Sequence, residues 1–154
     1  MASFFCDSSA IVKRYVNEKG SNFVDSLADL KIGNVILLAR ITRVEIAAAI
    51  ARRLKGGSIT TTDAQNAIVA FQHDLTNNYF TVEITDALLS RAMSLATKHA
   101  LRGYDAVQLA AALEAADERI ANQLPPLTLV SADDELNTAA RAESLNVENP
   151  NDYP

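Results

Sequence analysis

Along this chain, short unbroken runs of apolar residues alternate with longer stretches in which apolar residues recur every three or four positions. The first pattern marks buried strands and the second amphipathic helices. Residues 2–6 form such a run and stop at Asp7, which predicts a buried strand. Ser8 and Ser9 then open a helix over 8–17, with Ile11, Val12, Tyr15 and Val16 as its apolar stripe. Gly20 breaks it, and Phe23, Leu27 and Leu30 keep helical spacing in a second short helix. Residues 34–39, carrying Val-Ile-Leu-Leu, predict a second strand. Thr42 and Glu45 have capping-box spacing at the head of an Ala-rich helix that Gly56-Gly57 ends. The Thr run at 60–62 opens another helix, with Ala67, Ile68, Phe71 and Leu75 on one face. Residues 79–84 alternate and are rich in β-formers, a third strand. Helices over 86–99 and 104–122 follow, then a stop at Pro125-Pro126, a fourth strand over 127–130 and a last helix over 131–145. Residues 147–148 read as a short edge strand and 149–154 as a tail. Strands separated by helices predict an α/β fold, a three-layer α/β/α sandwich with a short, mostly parallel central sheet, in a single domain over 1–148.

Composition narrows the function classes. The 154 residues suffice for one sizeable core, and 49% hydrophobic with 21% charged is ordinary for a globular protein. No apolar run approaches the roughly 18 residues of a spanning helix, so no membrane role is expected. The first residues lack a basic region and meet Asp7 almost at once, unlike a signal peptide. The single cysteine, Cys6, excludes an intrachain disulfide framework and a Cys-based zinc site, and a cytoplasmic setting is expected. Nineteen Asp and Glu against 14 Lys and Arg give a net charge of −5, which taken alone argues against a nucleic-acid partner. Where the acids fall alters that argument.

In a parallel α/β sheet, ligands bind beyond the carboxyl ends of the strands. Asp7, the 40–45 segment and the 131–134 segment each follow a predicted strand end. Each acid alone has a structural explanation: Asp7, Asp105 and Asp133 or Asp134 as helix caps, Glu45 as a capping-box partner. Several unpaired carboxylates on one sheet edge repel one another and stay partly protonated unless a cation neutralises them. Oxygen ligands with few basic partners suit a hard divalent cation such as Mg²⁺, which takes one or two carboxylates, keeps waters and is completed by substrate phosphate. Asp105 follows a break between helices, and spacing alone does not place it.

The chain resembles the PIN-domain family, particularly VapC-type toxins of toxin–antitoxin pairs. The resemblance is carried by Phe5-Cys6-Asp7-Ser8-Ser9-Ala10-Ile11-Val12-Lys13, by Thr42-Arg43-Val44-Glu45-Ile46-Ala47, by Gly103-Tyr104-Asp105-Ala106-Val107-Gln108-Leu109-Ala110 and by Val130-Ser131-Ala132-Asp133. The ending Val147-Glu148-Asn149-Pro150 also looks like the family's, and the four motifs stand in the family's order. The resemblance implies a PIN-like fold and a divalent-metal-dependent endoribonuclease. It implies metal ligands and catalytic acids at Asp7, Glu45, Asp105 and Asp133, with one or two Mg²⁺ or Mn²⁺ ions. The family usually has Thr two residues before its last Asp; Ser131 stands there and keeps the hydroxyl. Ser9, Ser131 and Asp134 are expected in supporting roles. A small cognate antitoxin and a homodimer are implied as partners.

Basic residues gather around the Glu45 helix: Arg40, Arg43, Arg52, Arg53 and Lys55. A solvated helix face explains Arg52 and Arg53, while Lys13, Arg40 and Arg43 are the candidates for guiding the RNA backbone. His73 and His99 form no metal-spaced pair and read as surface or half-buried residues. Housekeeping RNA processing, DNA cleavage and a non-catalytic binding module remain alternatives. A phosphoacceptor domain fits poorly, because it wants paired acids after the first strand and a Lys after the last. The excess of acids over bases equals the number of acids at Asp7, Glu45, Asp105, Asp133 and Asp134, so an acidic pI does not exclude RNA.

Overall fold

The strands are short and apolar on both sides because helices cover both faces of the sheet they form. The computed structural model covers Met1–Pro154. Its strands are β1 (Ser3–Cys6), β2 (Val35–Ala39), β3 (Tyr79–Val82), β4 (Leu127–Val130) and β5 (Asn146–Glu148). They lie in the order β3-β2-β1-β4-β5, and all four pairings are parallel, so the sheet is wholly rather than mostly parallel. Side chains divide with the two-residue period of a strand. Phe5, Ala39 and Leu129 point to one layer, where they meet Leu88, Leu109 and Leu136. Cys6, Leu38 and Val130 point to the other, where they meet Ile11, Ile46, Ile50 and Phe71. These two buried clusters are the two cores of an α/β/α sandwich.

The first layer holds α5 (Asp86–His99), α6 (Gly103–Ala121) and α7 (Asp134–Ala142), and the second holds α1 (Ser8–Ile11), α2 (Ser21–Leu27), α3 (Thr42–Lys55) and α4 (Thr61–Asn77). Small residues let α6 lie close on the sheet: Ala106, Ala110, Ala111, Ala112 and Ala115 are all buried. Several boundaries depart from the sequence reading: the second helix ends at Leu27, short of Leu30, and the last ends at Ala142 rather than 145. The expected 8–17 helix is only four residues long and tightens into a 3₁₀ turn over Val12–Arg14, which turns Lys13 inward to donate to the Lys19 carbonyl at 2.8 Å. The expected strand over 79–84 stops at Val82. The last helix begins at Asp134 rather than 131, because Asp133 itself caps it, accepting from the Leu136 amide at 2.9 Å.

The Thr42–Glu45 capping box is not formed. Thr42 is already inside the helix and fully buried, with its hydroxyl accepting from Gln108, and Glu45 turns to other partners. A reciprocal box closes instead at Thr60 and Asp63, at the head of α4. The chain's last residues pack rather than trail. Pro150 lies so close to Gly20 that a Cβ there would sit 2.5 Å from the Pro150 carbonyl oxygen, and Gly20 also holds a left-handed φ of +85°. Tyr153 stacks on Phe23 at 3.9 Å.

Candidate active site

Each acid of the four motifs is aimed by the element that carries it. Asp7 follows β1 directly and caps α1, its Oδ1 accepting from the Ala10 amide at 3.0 Å. Glu45 lies in the first turn of α3 and Asp105 in the first turn of α6. Asp133 follows β4 through the Ser131–Ala132 link. Because β1 and β4 are parallel neighbours, in register from Ser3–Leu127 to Cys6–Val130, Asp7 and Ser131 leave the sheet side by side. All four acids line one cleft of about 700 Å³, with Ser8, Ser9, Lys13, Tyr104 and three arginines also on its walls.

Hydroxyls hold the deepest acid. Ser9 donates to Asp7 at 2.7 Å and Ser131 donates to it at 2.8 Å. The Ser9 oxygen in turn accepts the Ala132 amide at 2.9 Å, and Ser131 accepts the Asp133 amide at 3.1 Å. The two serines therefore lace the end of β1 to the segment after β4. Asn137, buried on α7, donates to the Ser131 carbonyl at 2.8 Å and steadies that segment. Asp134 is exposed and accepts from Asn149 at 3.2 Å, on the side of β5 rather than on the cleft wall.

Burial pushes the Asp7 carboxyl up to about 7, against the lowering effect of its Ser9, Ser131 and Ala10 hydrogen bonds, and the Glu45 charge adds to the rise. Burial also raises Asp105, with Asp133 and Glu45 adding repulsion and Arg102 opposing it. No Lys or Arg forms an ion pair with any of the four acids. In the adopted rotamers no three Asp, Glu, His or Cys side chains converge tightly enough to share one ion; the acids ring the cleft instead.

Two groups stand at the site that the sequence reading does not assign to it: Gln108, quoted only as part of a motif, and Arg52 and Arg53, read as a solvated helix face, with Arg102. Gln108, fully buried on α6, donates to Glu45 at 2.6 Å and to Thr42 at 2.9 Å, tying α6 to α3 and setting the direction of the Glu45 carboxylate. Its other amide atom, Oε1, is buried without a partner. Turning the amide over would face that oxygen to the Glu45 carboxylate, so the donor orientation is the one chemistry allows. The second group is basic. Arg52, Arg53 and Arg102 line the cleft with Lys13, whereas Arg40 is paired with Glu83 beyond β3 and Arg43 is exposed outside the lining. Helical spacing carried this signal, because Arg52 and Arg53 lie seven and eight residues after Glu45 and so share its face. Glu18 bridges Lys13 at 3.2 Å and Arg53 at 3.0 Å. Both histidines lie away from the cleft, His73 exposed and His99 half-buried against Glu143 at 2.7 Å.

Comparisons with known proteins agree with this architecture. The sequence profile of the PIN domain matches residues 4–142. Ribonuclease VapC45 of Mycobacterium tuberculosis is 32% identical over 147 residues, covering 96% of this chain and 95% of its own. Among solved structures, VapC20 of the same organism, a toxin that cleaves the sarcin-ricin loop, superposes with a TM-score of 0.61 at 14% identity, covering 88% of this chain and 94% of its own. A toxin–antitoxin complex from Klebsiella pneumoniae superposes with a TM-score of 0.56 at 16% identity, covering 97% and 98%. With a wholly parallel sheet, a profile match over residues 4–142 and a 32% identical relative covered almost end to end, the chain belongs to the PIN-domain family.

Proposed function

We propose that the protein is a divalent-metal-dependent endoribonuclease and the toxin of a type II toxin–antitoxin pair. The observation that carries this reading is the gathering of four acids that form no ion pair: Asp7, Glu45, Asp105 and Asp133 line one cleft, and the basic residues on its walls leave all four unbridged. The donor set fits Mg²⁺ or Mn²⁺. It is all oxygen, its repulsion is relieved by added positive charge, and an ion needing one or two carboxylates does not require all four to converge. Asp7 and Asp105 would hold such an ion, with Asp133 and Glu45 completing its surroundings, and one or two ions fit the same acids. A bound ion supplies Lewis acidity toward the phosphodiester and lowers the pKa of a coordinated water.

The chain's own residues prepare the rest. Ser9 and Ser131 fix both oxygens of Asp7, so the carboxylate does not reorganise when charge arrives. Gln108 fixes Glu45, leaving its other oxygen on Ser8 at 3.0 Å. Arg52 and Arg102, which form no ion pair, and Arg53, shared with Glu18, border the acids and supply the attraction for an RNA backbone that a net charge of −5 would otherwise repel. The role expected of Lys13, Arg40 and Arg43 falls to these cleft arginines, because Arg40 and Arg43 lie outside the cleft lining and the Lys13 ammonium is buried on Glu18 and the Lys19 carbonyl. The named relatives, VapC45 as a ribonuclease and the Klebsiella complex as a toxin with its antitoxin, support the reading, which extends to a small cognate antitoxin, a homodimer and a cytoplasmic setting. No helix is long and apolar enough to cross a membrane.

The test is cleavage of total bacterial RNA by the purified protein with Mg²⁺ or Mn²⁺, with EDTA and Asp7→Asn as controls. Cleavage that persists in EDTA, or in Asp7→Asn, would defeat the metal-dependent reading. Growth arrest on expression, relieved by co-expressing a short adjoining open reading frame, would establish the toxin role.

A further inference from the structure

Tyr104 is the one tyrosine that the fold leaves without a partner. Tyr15 and Tyr79 both donate to Asp74, while Tyr153 stacks on Phe23 and donates to Glu148 at 2.7 Å. Tyr104 makes no hydrogen bond and faces no other ring, and it is 62% exposed. Its place is not random. It precedes Asp105 in the first turn of α6 and lines the cleft with the four acids, with Arg52 and Arg53 of α3 and with Arg102, the residue that precedes α6. Large side chains such as Phe80 and Ile120 are equally exposed elsewhere, but the Tyr104 ring stands on the wall of the cleft, where it is open to whatever enters.

We propose that Tyr104 is a stacking platform for an unpaired RNA base beside the cleavage point. This rests on the ribonuclease reading and names the residue of this chain that holds a base there. The cations at the same cleft call for a polyanion, which favours a nucleotide over an apolar protein side chain as the occupant of the ring. Bases inside a duplex are stacked on one another and offer no free face, whereas a splayed base does. Every base has a π-face, so the contact adds affinity without demanding a sequence.

The test is fluorescence anisotropy of a short fluorescein-labelled RNA of mixed sequence, in EDTA to prevent turnover, beside the same RNA annealed to its complement. Tyr104→Ala should weaken single-strand binding by about 5- to 50-fold and leave duplex binding unchanged, and Tyr104→Phe should stay within about twofold of the wild type. Equal binding by Tyr104→Ala and wild type, or equal losses on single strand and duplex, overturns the platform and leaves the ring as a protein-contact surface. Cleavage of total RNA by the wild type, run in parallel, separates the two failures. If it cleaves while Tyr104→Ala binds normally, only the platform falls; if it neither cleaves nor binds, the ribonuclease reading falls with it.

Discussion

Asp7 and Asp74 are both buried carboxylates, and they are treated in opposite ways. Asp74, on α4, accepts from the Tyr15 hydroxyl at 2.7 Å, from Asn78 at 2.6 Å, from Tyr79 at 3.3 Å and from the Arg14 guanidinium at 3.3 Å. Burial works to raise it, yet these partners hold it below the usual carboxylate range. Asp7 receives hydroxyls and an amide but no cation, has Glu45 for a charged neighbour, and is pushed up to about 7. A carboxylate that serves the fold brings its counter-charge with it. One left beside a like charge at a strand end, with no cation of its own, fits the ligand role proposed for Asp7.

Exchanging either acid should expose the difference most sharply. Asp7→Asn keeps an oxygen for the Ala10 amide and should fold, yet lose RNA cleavage by about 100-fold or more. Asp74→Ala leaves Arg14 with Asp25 alone and takes the carboxylate acceptor from two tyrosine hydroxyls; it should lower stability by about 2–3 kcal/mol, while the folded fraction cleaves normally. Urea unfolding beside initial cleavage rates reads both. A stable, inactive Asp74→Ala would erase the distinction between the two acids.

Gln108 tests whether the cleft's acids depend on neutral partners for aim. Gln108→Ala should lower cleavage by about 10- to 100-fold, the scale found when a hydrogen-bonded neighbour of a metal ligand is removed. Gln108→Glu, which sets a second carboxylate against Glu45, should do worse. A Gln108→Ala variant that is merely less stable, with full activity below its unfolding transition, would reduce the residue to a brace between α3 and α6.

How far the sequence spoke for these sites depends on the range of the forces involved. β1 and β4 were legible as apolar runs, and Asp7 and Asp133 as the polar residues that follow them, because burial and capping are local. Thr42 misled for the same reason: its spacing to Glu45 is that of a capping box, but a buried glutamine 66 residues away claims its hydroxyl. At the early end of α1 the contacts are shorter in range: the 3₁₀ turn brings Lys13 onto the Lys19 carbonyl and Glu18, six and five residues on. Asp105 joins the others only through the packing of α6, and it was the family resemblance, not spacing, that brought it into the set. Arg52 and Arg53 were within reach of a helical wheel drawn through Glu45.

The two acids should also titrate stability in opposite senses. With EDTA present, Asp7 has its pKa raised on folding, so its contribution is complete below about pH 4 and is lost as pH rises toward 7. The stability of wild type relative to Asp7→Asn should therefore fall by about 1–3 kcal/mol between pH 5 and 8. Asp74 has its pKa lowered, so its contribution holds above the ordinary carboxylate range and is lost as pH falls through the lowered value. The stability of wild type relative to Asp74→Asn should be flat above about pH 5 and decline toward pH 3. Parallel curves for the two pairs, measured by thermal unfolding across the range, would show that Asp7 carries no unmet charge.

The smallest effect concerns the cations around the acids. Arg14 is held by Asp74 and Asp25, and its charge is used up inside the fold. Arg52 lines the cleft with no ion-pair partner and is free to meet a phosphate. Arg52→Gln should weaken binding of a mixed-sequence RNA by a few-fold and flatten the dependence of log K on log salt by about one unit. Arg43→Gln, one of the residues the sequence favoured, lies outside the cleft lining and should change neither. Arg53→Gln should fall between the two, because Glu18 already holds part of its charge. If instead Arg43→Gln flattens the slope and Arg52→Gln does not, the RNA approaches over the opposite side of α3, and the face that carries Glu45 is not the face that holds the backbone.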